Sequence, residues 1–280
     1  MLEVLNLGAG VQSTTVLLMS LEGLLPPLDY VIFADTGWEP QEVYRHLEWL
    51  KTLTTVHVVK NGNIAKDAMR YQVNHHDSST RQLQRGMGDD GKTRWGSMPF
   101  FILGPNGEQG MIRRQCTYEY KIRPIERFVR RTVLGLKPRQ RAPKEKVIRQ
   151  WYGISLDEMQ RMSKDFNAFT TNYYPLIEKR MTRQHCIEWL EQRGILAPRS
   201  ACIGCPFHHD KEWRNLKDNS PDEWQEAVEF DEAIRHWGGM RGEVYLHSAR
   251  IPLAEVDLTT DVERGQLLLW QDECMGMCGV

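Results

Sequence analysis

The chain has 280 residues, 41% of them hydrophobic, and a formal net charge of −1 at pH 7. This length allows one large domain or a main domain with a smaller appendage, and the six cysteines are too few to act as a disulfide scaffold. No apolar run reaches about 18 residues and Glu3 breaks the N-terminal one, so we expect no membrane partner and predict a cytoplasmic protein.

Residues 2–59 alternate between strand and helix patterns. Strands are predicted over 2–7, 30–34 and 55–59, and helices over 16–25 and 40–50. Strands that alternate with helices predict an α/β fold, in which a parallel twisted sheet carries helices on both faces.

The pattern is weaker in the rest of the chain. Residues 61–110 are glycine-rich and polar, which predicts long functional loops. The other predicted elements are helices over 64–72, 121–133, 183–193, 211–217 and 221–236, and a strand over 147–154 in a sheet that ends near residue 175. We therefore predict an α/β domain over 1–180 and a helical, cysteine-containing cap over 181–280.

Charge is segregated along the chain. Residues 113–149 hold thirteen Lys and Arg against three Glu, so the remainder is acidic. Such a block is typical either of a surface that faces phosphate groups or of a solvated helix face.

The turn at 8–14 has the sequence GAGVQST and joins the first strand to the first helix. A dinucleotide fingerprint would need a third glycine where Ser13 stands, and a Walker loop would need a lysine, which residues 1–50 lack. Small residues followed by hydroxyls at a helix N-terminus favour binding of an anion such as pyrophosphate. The alternative is a tight turn in which Ser or Thr caps the helix.

This turn resembles the PP-loop of ATP pyrophosphatases, whose signature is Ser-Gly-Gly-x-Asp-Ser. Gly8, Ala9 and Gly10 stand at its first three positions, Gln12 stands at the acid, and Ser13 and Thr14 supply the hydroxyls. The next strand ends in Asp35-Thr36-Gly37 with Glu42 shortly after, which resembles the phosphoadenosine phosphosulfate reductase-like branch of that family.

Three more segments resemble that branch in the same order, over residues 2–194. They are Arg114-Gln115-Cys116-Thr117 with Lys121 and Pro124, Gly153-Ile154-Ser155 with Glu158 and Arg161, and Tyr174-Pro175-Leu176. The chain departs from the pattern at Gly8 and Gln12, which replace a serine and an acid, and at Ser155, which replaces an arginine.

The resemblance implies an adenine nucleotide alpha-hydrolase-like fold that binds ATP and Mg²⁺. It implies that Lys121 and Arg114, or Arg113, lie over the phosphates and that Asp35 contacts magnesium or ribose. The residues expected to bind the nucleotide are Gly8, Ala9, Gly10, Gln12, Ser13, Thr14, Asp35, Thr36, Gly37 and Gly153.

Five of the cysteines lie in turn-rich sequence. Cys202 and Cys205 form a CxxC, a spacing that lets two thiolates reach one metal, and Cys116 follows a basic pair. Cys186 lies among apolar positions of a predicted helix and is expected to pack in the core. The pattern leaves open a redox pair, a zinc ribbon completed by a tail cysteine or by His208 or His209, and an iron–sulfur cluster.

The resemblance favours the cluster. In this branch a [4Fe-4S] cluster often lies on cysteines that match Cys116, Cys202 and Cys205, with Cys274 or Cys278 as the expected fourth ligand. The branch's reductases also end in a Glu-Cys-Gly segment with a mobile nucleophilic thiol. We therefore expect Cys274 as a ligand and Cys278 as a catalytic or sulfur-carrying thiol; Zn²⁺ is the alternative metal.

Among ATP pyrophosphatases of this branch, the chain most resembles the enzymes of DNA phosphorothioate modification. This implies adenylation of a nucleic-acid acceptor, sulfur supplied by a cysteine desulfurase, and companion modification proteins. DNA is favoured over tRNA as the partner, although a tRNA-thiolating enzyme fits the sequence almost as well. The sequence also leaves open a sulfonucleotide reductase and a zinc-containing nucleic-acid scaffold without turnover.

Overall fold

A computed structural model describes residues 1–73, 86–87, 93–94, 98–165, 167–237, 241–259 and 263. The strands are β1 Leu2–Leu7, β2 Tyr30–Asp35, β3 Val56–Lys60, β4 Gly86–Met87, β5 Thr93–Arg94, β6 Phe101–Leu103, β7 Gln109–Met111, β8 Ile148–Tyr152, β9 Thr170–Tyr173 and β10 Glu243–Tyr245.

The helices follow the same chain order. They are α1 Val11–Leu21, α2 Gln41–Leu53, α3 Ile64–Val73, α4 from Tyr118–Ile122 through Arg123–Phe128 to Val129–Val133, α5 Pro175–Glu178, α6 Arg183–Glu191, α7 Asp210–Asn219 and α8 Pro221–Ala233. The first and last segments of α4 are π-helical. Short 3₁₀ helices lie at Leu156–Arg161 and Leu253–Glu255.

The main sheet has five parallel strands in the order β3-β2-β1-β8-β9. The α/β prediction is therefore confirmed. Strands β2 and β3 lie on one side of β1, and β8 and β9 lie on its other side. The strand order therefore reverses between β1 and β8. In open parallel sheets, ligands bind at the carboxyl ends of the strands beside such a reversal.

Alternating side chains of the sheet enter two different cores. Leu5 and Phe33 face α1, α2 and α6, together with Leu47 and Leu190. Their neighbours in sequence point the other way, so that Val4 and Ile32 pack with residues of α4. Both faces are covered by helices, as expected for parallel strands.

A third core lies outside the main sheet. Trp38 and Ile64 pack with Trp213, Phe230 and other residues of α7, α8 and the antiparallel sheet β10-β6-β7. Helix α6, by contrast, contacts α1 on the main sheet. The domain boundary at residue 180 stays a prediction.

The structure corrects the predicted elements in three places. Helix α1 begins at Val11, five residues before the predicted start, because Gly10 already serves as its N-cap. The β6–β7 hairpin spans 101–111, and all but its last residue lies within 61–110, where only loops around a helix were predicted. Strand β10 follows the last predicted helix. These strands have three residues each, too few to display a period of two. No helix in the described ranges is long and apolar enough to cross a membrane.

Candidate functional site

The turn between β1 and α1 is held by its own serine. Gly8 and Gly10 donate their backbone N–H groups to Ser13 Oγ, at 3.1 and 3.3 Å. Ala9 between them has a φ of 53°, in the left-handed region that non-glycine residues seldom adopt. The backbone N–H groups of the first turn of α1 have no acceptor within a helix, so they and the helix dipole are available to an anion.

Two neighbouring segments approach this turn so closely that they require glycine. A Cβ on Gly153, after β8, would lie 2.8 Å from Ser13 N and 2.9 Å from Ser13 Cα. A Cβ on Gly10 would lie 2.8 Å from Ser200 Cβ and 3.4 Å from Pro198 O. The turn is therefore enclosed between the loop that follows β8 and the segment that leads to the CxxC.

Gln12 connects the turn to the loop after β8. Its Nε2 donates to Glu158 Oε2 at 3.2 Å, and Arg161 Nη1 donates to the same oxygen at 2.7 Å. Ser155 is fully buried, and its Oγ has no hydrogen-bond partner within the described ranges. The structure thus brings Gln12 together with Glu158 and Arg161, which the sequence separates by about 150 residues.

Asp35 is the centre of a hydrogen-bond network at the end of β2. Its Oδ1 accepts from Gly37 N at 2.7 Å and from Tyr44 Oη at 2.8 Å, and its Oδ2 accepts from Lys60 Nζ at 2.7 Å. Gly37 has a φ of 76°, which favours glycine. Asp35 therefore fixes the Asp-Thr-Gly turn in this arrangement, and its contact with magnesium or ribose stays a prediction.

Three of the predicted metal ligands line one pocket, which we call the thiol pocket. It encloses about 480 Å³, including its open mouth. Its polar lining consists of Cys116, Cys202, Cys205, Thr36, Arg114, Thr117, Lys121 and Ser200. Residues from the end of β2, the start of α4 and the CxxC therefore share one surface, and the pocket reaches Ser200, which contacts the glycine turn.

A buried carboxylate lies beside the thiol pocket. Glu39 is 2% exposed, and its Oε1 accepts from Thr36 Oγ1 at 2.9 Å and lies 3.7 Å from both Lys121 Nζ and Cys202 Sγ. Its Oε2 has no hydrogen-bond partner within the described ranges. Burial, with the charge of Glu39 adding to it, raises the pKa of the Cys202 thiol, so the thiolate is disfavoured unless a cation binds there.

The CxxC is positioned by a tryptophan. A Cβ on Gly204 would lie 2.1 Å from Trp38 Cη2, so the CxxC turn rests directly on the indole ring. Ile203 donates its N–H to Trp38 O at 3.0 Å, and Trp38 Nε1 donates to Glu226 Oε1 of α8 at 2.8 Å. Helix α8 thereby fixes the CxxC against the turn that follows β2.

The thiol pocket has the donor chemistry of a metal site. Its three thiols suit Zn²⁺ or an iron–sulfur cluster. Within the described ranges, however, no three His, Cys, Asp or Glu side chains are close enough to hold a metal ion together. The expected ligand Cys274 and the expected thiol Cys278 lie outside the described residues. Cys186 is fully buried in the core shared with α1, as predicted.

The basic segment is exposed over most of its length. Residues 127–144 hold seven Lys and Arg and no Asp or Glu. Six of these cations are exposed and form no ion pair with a described residue: Arg127, Arg131, Lys137, Arg139, Arg141 and Lys144. Arg114, at the start of the block, instead donates from Nε to Thr117 Oγ1 at 2.8 Å within the thiol pocket.

Sequence reasoning missed Glu39, Trp38, Ser200 and His46. An acid between Trp38 and Pro40, directly after the Asp-Thr-Gly segment, was the available signal for Glu39. Nothing local marks Ser200 as a neighbour of the glycine turn. His46 of α2 is buried, and its Nε2 lies 2.9 Å from Thr14 Oγ1.

His46 makes the stability of this region sensitive to acid. Burial lowers its pKa to about 4 from an ordinary value of 6.5, so the folded protein keeps it neutral while the unfolded chain protonates it. Stability is therefore intact above pH 6.5 and falls as the pH decreases toward 4. Between pH 7.5 and pH 5 we expect the wild type to lose about 2 kcal/mol more unfolding free energy than His46→Gln. Urea unfolding of both proteins at the two pH values measures this, and equal losses would contradict it.

Comparison with protein-family models and with curated proteins gives no match to this chain. The function proposed below therefore depends on the geometry of these residues and on the motif resemblance.

Proposed function

We propose that the protein is an ATP pyrophosphatase that adenylates a nucleic-acid acceptor for sulfur insertion, with DNA phosphorothioate modification as the favoured process. The observation that carries the proposal is the contact between Gly10 and Ser200, which joins the glycine turn to the thiol pocket. An activated acceptor and a sulfur-bearing group would thus meet in one continuous site. The strand order is compatible with an adenine nucleotide alpha-hydrolase-like fold, with α7 and α8 as part of a cap.

ATP would bind with its phosphates on the N–H groups at the start of α1. Lys121 and Arg114 at the thiol pocket would stabilise negative charge on the phosphates, which is how phosphoryl and nucleotidyl transfer is mainly catalysed. Because three donors already contact the carboxylate of Asp35, the phosphate oxygens would supply most of the ligands of Mg²⁺.

The reaction would proceed in two displacements. A phosphate oxygen of the acceptor attacks the α-phosphorus of ATP, and pyrophosphate leaves. A sulfur nucleophile then attacks the activated acceptor phosphorus, and AMP leaves with the oxygen that sulfur replaces. Cys116, Cys202 and Cys205, with Cys274, would hold the cluster, which when bound supplies thiolate-ligated iron and sulfide at this pocket. A cysteine desulfurase would provide the sulfur as a persulfide, whose outer sulfur bonds to phosphorus. A second thiol would then break the S–S bond by disulfide exchange and leave the phosphorothioate.

Release of pyrophosphate from ATP and Mg²⁺ tests the proposal. Anaerobically purified protein is assayed with and without DNA, and in parallel for sulfite release from adenosine phosphosulfate and its 3′-phosphorylated form. We expect pyrophosphate without sulfite. Sulfite without pyrophosphate would make the protein a sulfonucleotide reductase. The absence of both products would favour the scaffold without turnover. Replacing DNA with tRNA in the same assay distinguishes the two acceptors.

A further inference from the structure

A second pocket lies on the α4 face of the main sheet, away from the cysteines. It encloses about 390 Å³, including its open mouth, between α4 and the strands β1, β8 and β9. Asn6, Gln150 and Tyr152 line it from the strands, and Glu126 and Val129 line it from α4. None of these residues is used by the function proposed above.

The strand side of this pocket is polar and only partly satisfied within the protein, since Tyr152 pairs with the side chains of Asn6 and Gln150. Asn6 is 3% exposed, lines the pocket, and its Oδ1 accepts no hydrogen bond within the described ranges. Gln150 is 8% exposed, and its Oε1 accepts from Tyr152 Oη at 3.4 Å. An unpaired buried amide oxygen is costly, whereas leucine would fill the same space without that cost. The pocket is therefore suited to a ligand that donates hydrogen bonds from its edge.

The apolar part of the remaining lining fits the flat face of a ligand, and a cation lies beside it. Phe169, Ile125 and Val129 supply apolar side chains. The guanidinium carbon of Arg130 lies 5.9 Å from the centre of the Phe169 ring and belongs to the basic segment. The polar lining could hydrogen-bond the edge of a nucleobase, and the aromatic ring could stack on its face. The adjacent cations could bind the phosphates of the same strand.

We propose that this pocket binds a nucleobase of the DNA acceptor, turned out of its stack, while residues 127–144 bind the flanking phosphates. The inference rests on the proposed function for the identity of the acceptor. Asn and Gln amides are common partners of base edges, and enzymes that modify nucleic acid often extrude a nucleotide. Asn6 faces α4, whereas the glycine turn continues into α1 on the opposite face, so the base site is distinct from the phosphate turn.

Fluorescence of 2-aminopurine in a DNA strand tests the inference. Single-stranded and duplex oligonucleotides with one 2-aminopurine are titrated with the full-length protein, its Asn6→Leu and Gln150→Leu variants, and the control Gln225→Leu on the exposed face of α8. We expect the wild type and the control to change the emission of the bound base. Asn6→Leu and Gln150→Leu should abolish that change and weaken binding about tenfold. Asn6→Leu should keep most of its thermal stability, because the removal of an unpaired buried oxygen offsets the lost hydrogen bond with Tyr152.

Three outcomes would overturn the inference. Both leucine variants could bind DNA with the wild-type affinity and emission change, or no emission change could accompany binding by the wild type. A non-hydrolysable ATP analogue could instead lose affinity for both variants while their DNA binding is unchanged, which would assign the pocket to the free nucleotide. Pyrophosphate release is measured on the same samples. Its absence with base insertion intact would contradict only the proposed function.

Discussion

Gly153→Ala is expected to weaken ATP binding about 100-fold while the protein remains folded. The new Cβ would lie 2.8 Å from Ser13 N and 3.1 Å from Gln12 C, which are backbone atoms that cannot rotate away. The start of α1 must therefore shift. Each hydrogen bond from a backbone N–H to a charged phosphate contributes roughly 1.5–3 kcal/mol, so the misplacement of one or two such groups accounts for the loss.

Gly110→Ala is the matched control. Gly110 lies in β7, and a Cβ there would make only an ordinary contact, 3.7 Å from Ile102 Cβ. Isothermal titration with ATP and Mg²⁺ and thermal unfolding are measured for both variants. The control should bind ATP as the wild type does. If Gly153→Ala also binds ATP normally while remaining folded, the turn at 8–14 does not hold the phosphates.

Most of the main sheet is predictable from the sequence because its signals are local. Apolar runs that end in Gly8 and in Asp35 locate β1 and β2, and their alternation with helices indicates parallel pairing. The order of the strands is not local. Strand β8 pairs with β1 although about 140 residues separate them, and no periodicity in either strand encodes that partner.

The candidate site likewise has parts that local sequence predicts and parts that depend on distant contacts. The glycine turn and the CxxC can be recognised within a few residues of sequence, because turns and metal ligands have characteristic spacings. The closure of the turn by Ser200 and the support of the CxxC by Trp38 depend on contacts between distant segments. Asp35 illustrates the limit. Its type and position suggest a ligand contact, but two of its three donors, Tyr44 and Lys60, come from elements that the motif does not include.

Single replacements of the pocket cysteines are expected to reduce the bound metal per chain by about tenfold or more. Cys116→Ser, Cys202→Ser and Cys205→Ser each remove a soft donor from the thiol pocket, and serine is a poor substitute for a thiolate with iron or zinc. Iron, acid-labile sulfide and zinc are measured in anaerobically purified wild type and variants. Iron with sulfide would identify a cluster, and stoichiometric zinc without them would identify a zinc site.

Cys186→Ala is the control for these replacements. Cys186 is fully buried between α1 and α6, where burial raises the pKa of its thiol to about 12, so it remains a protonated core residue. Its loss leaves a small cavity and should lower the unfolding free energy without changing the metal content. Equal metal in the wild type and in Cys202→Ser would contradict metal binding at the thiol pocket. A loss of metal in Cys186→Ala as large as in the pocket variants would show that general unfolding, not ligand removal, controls the metal content.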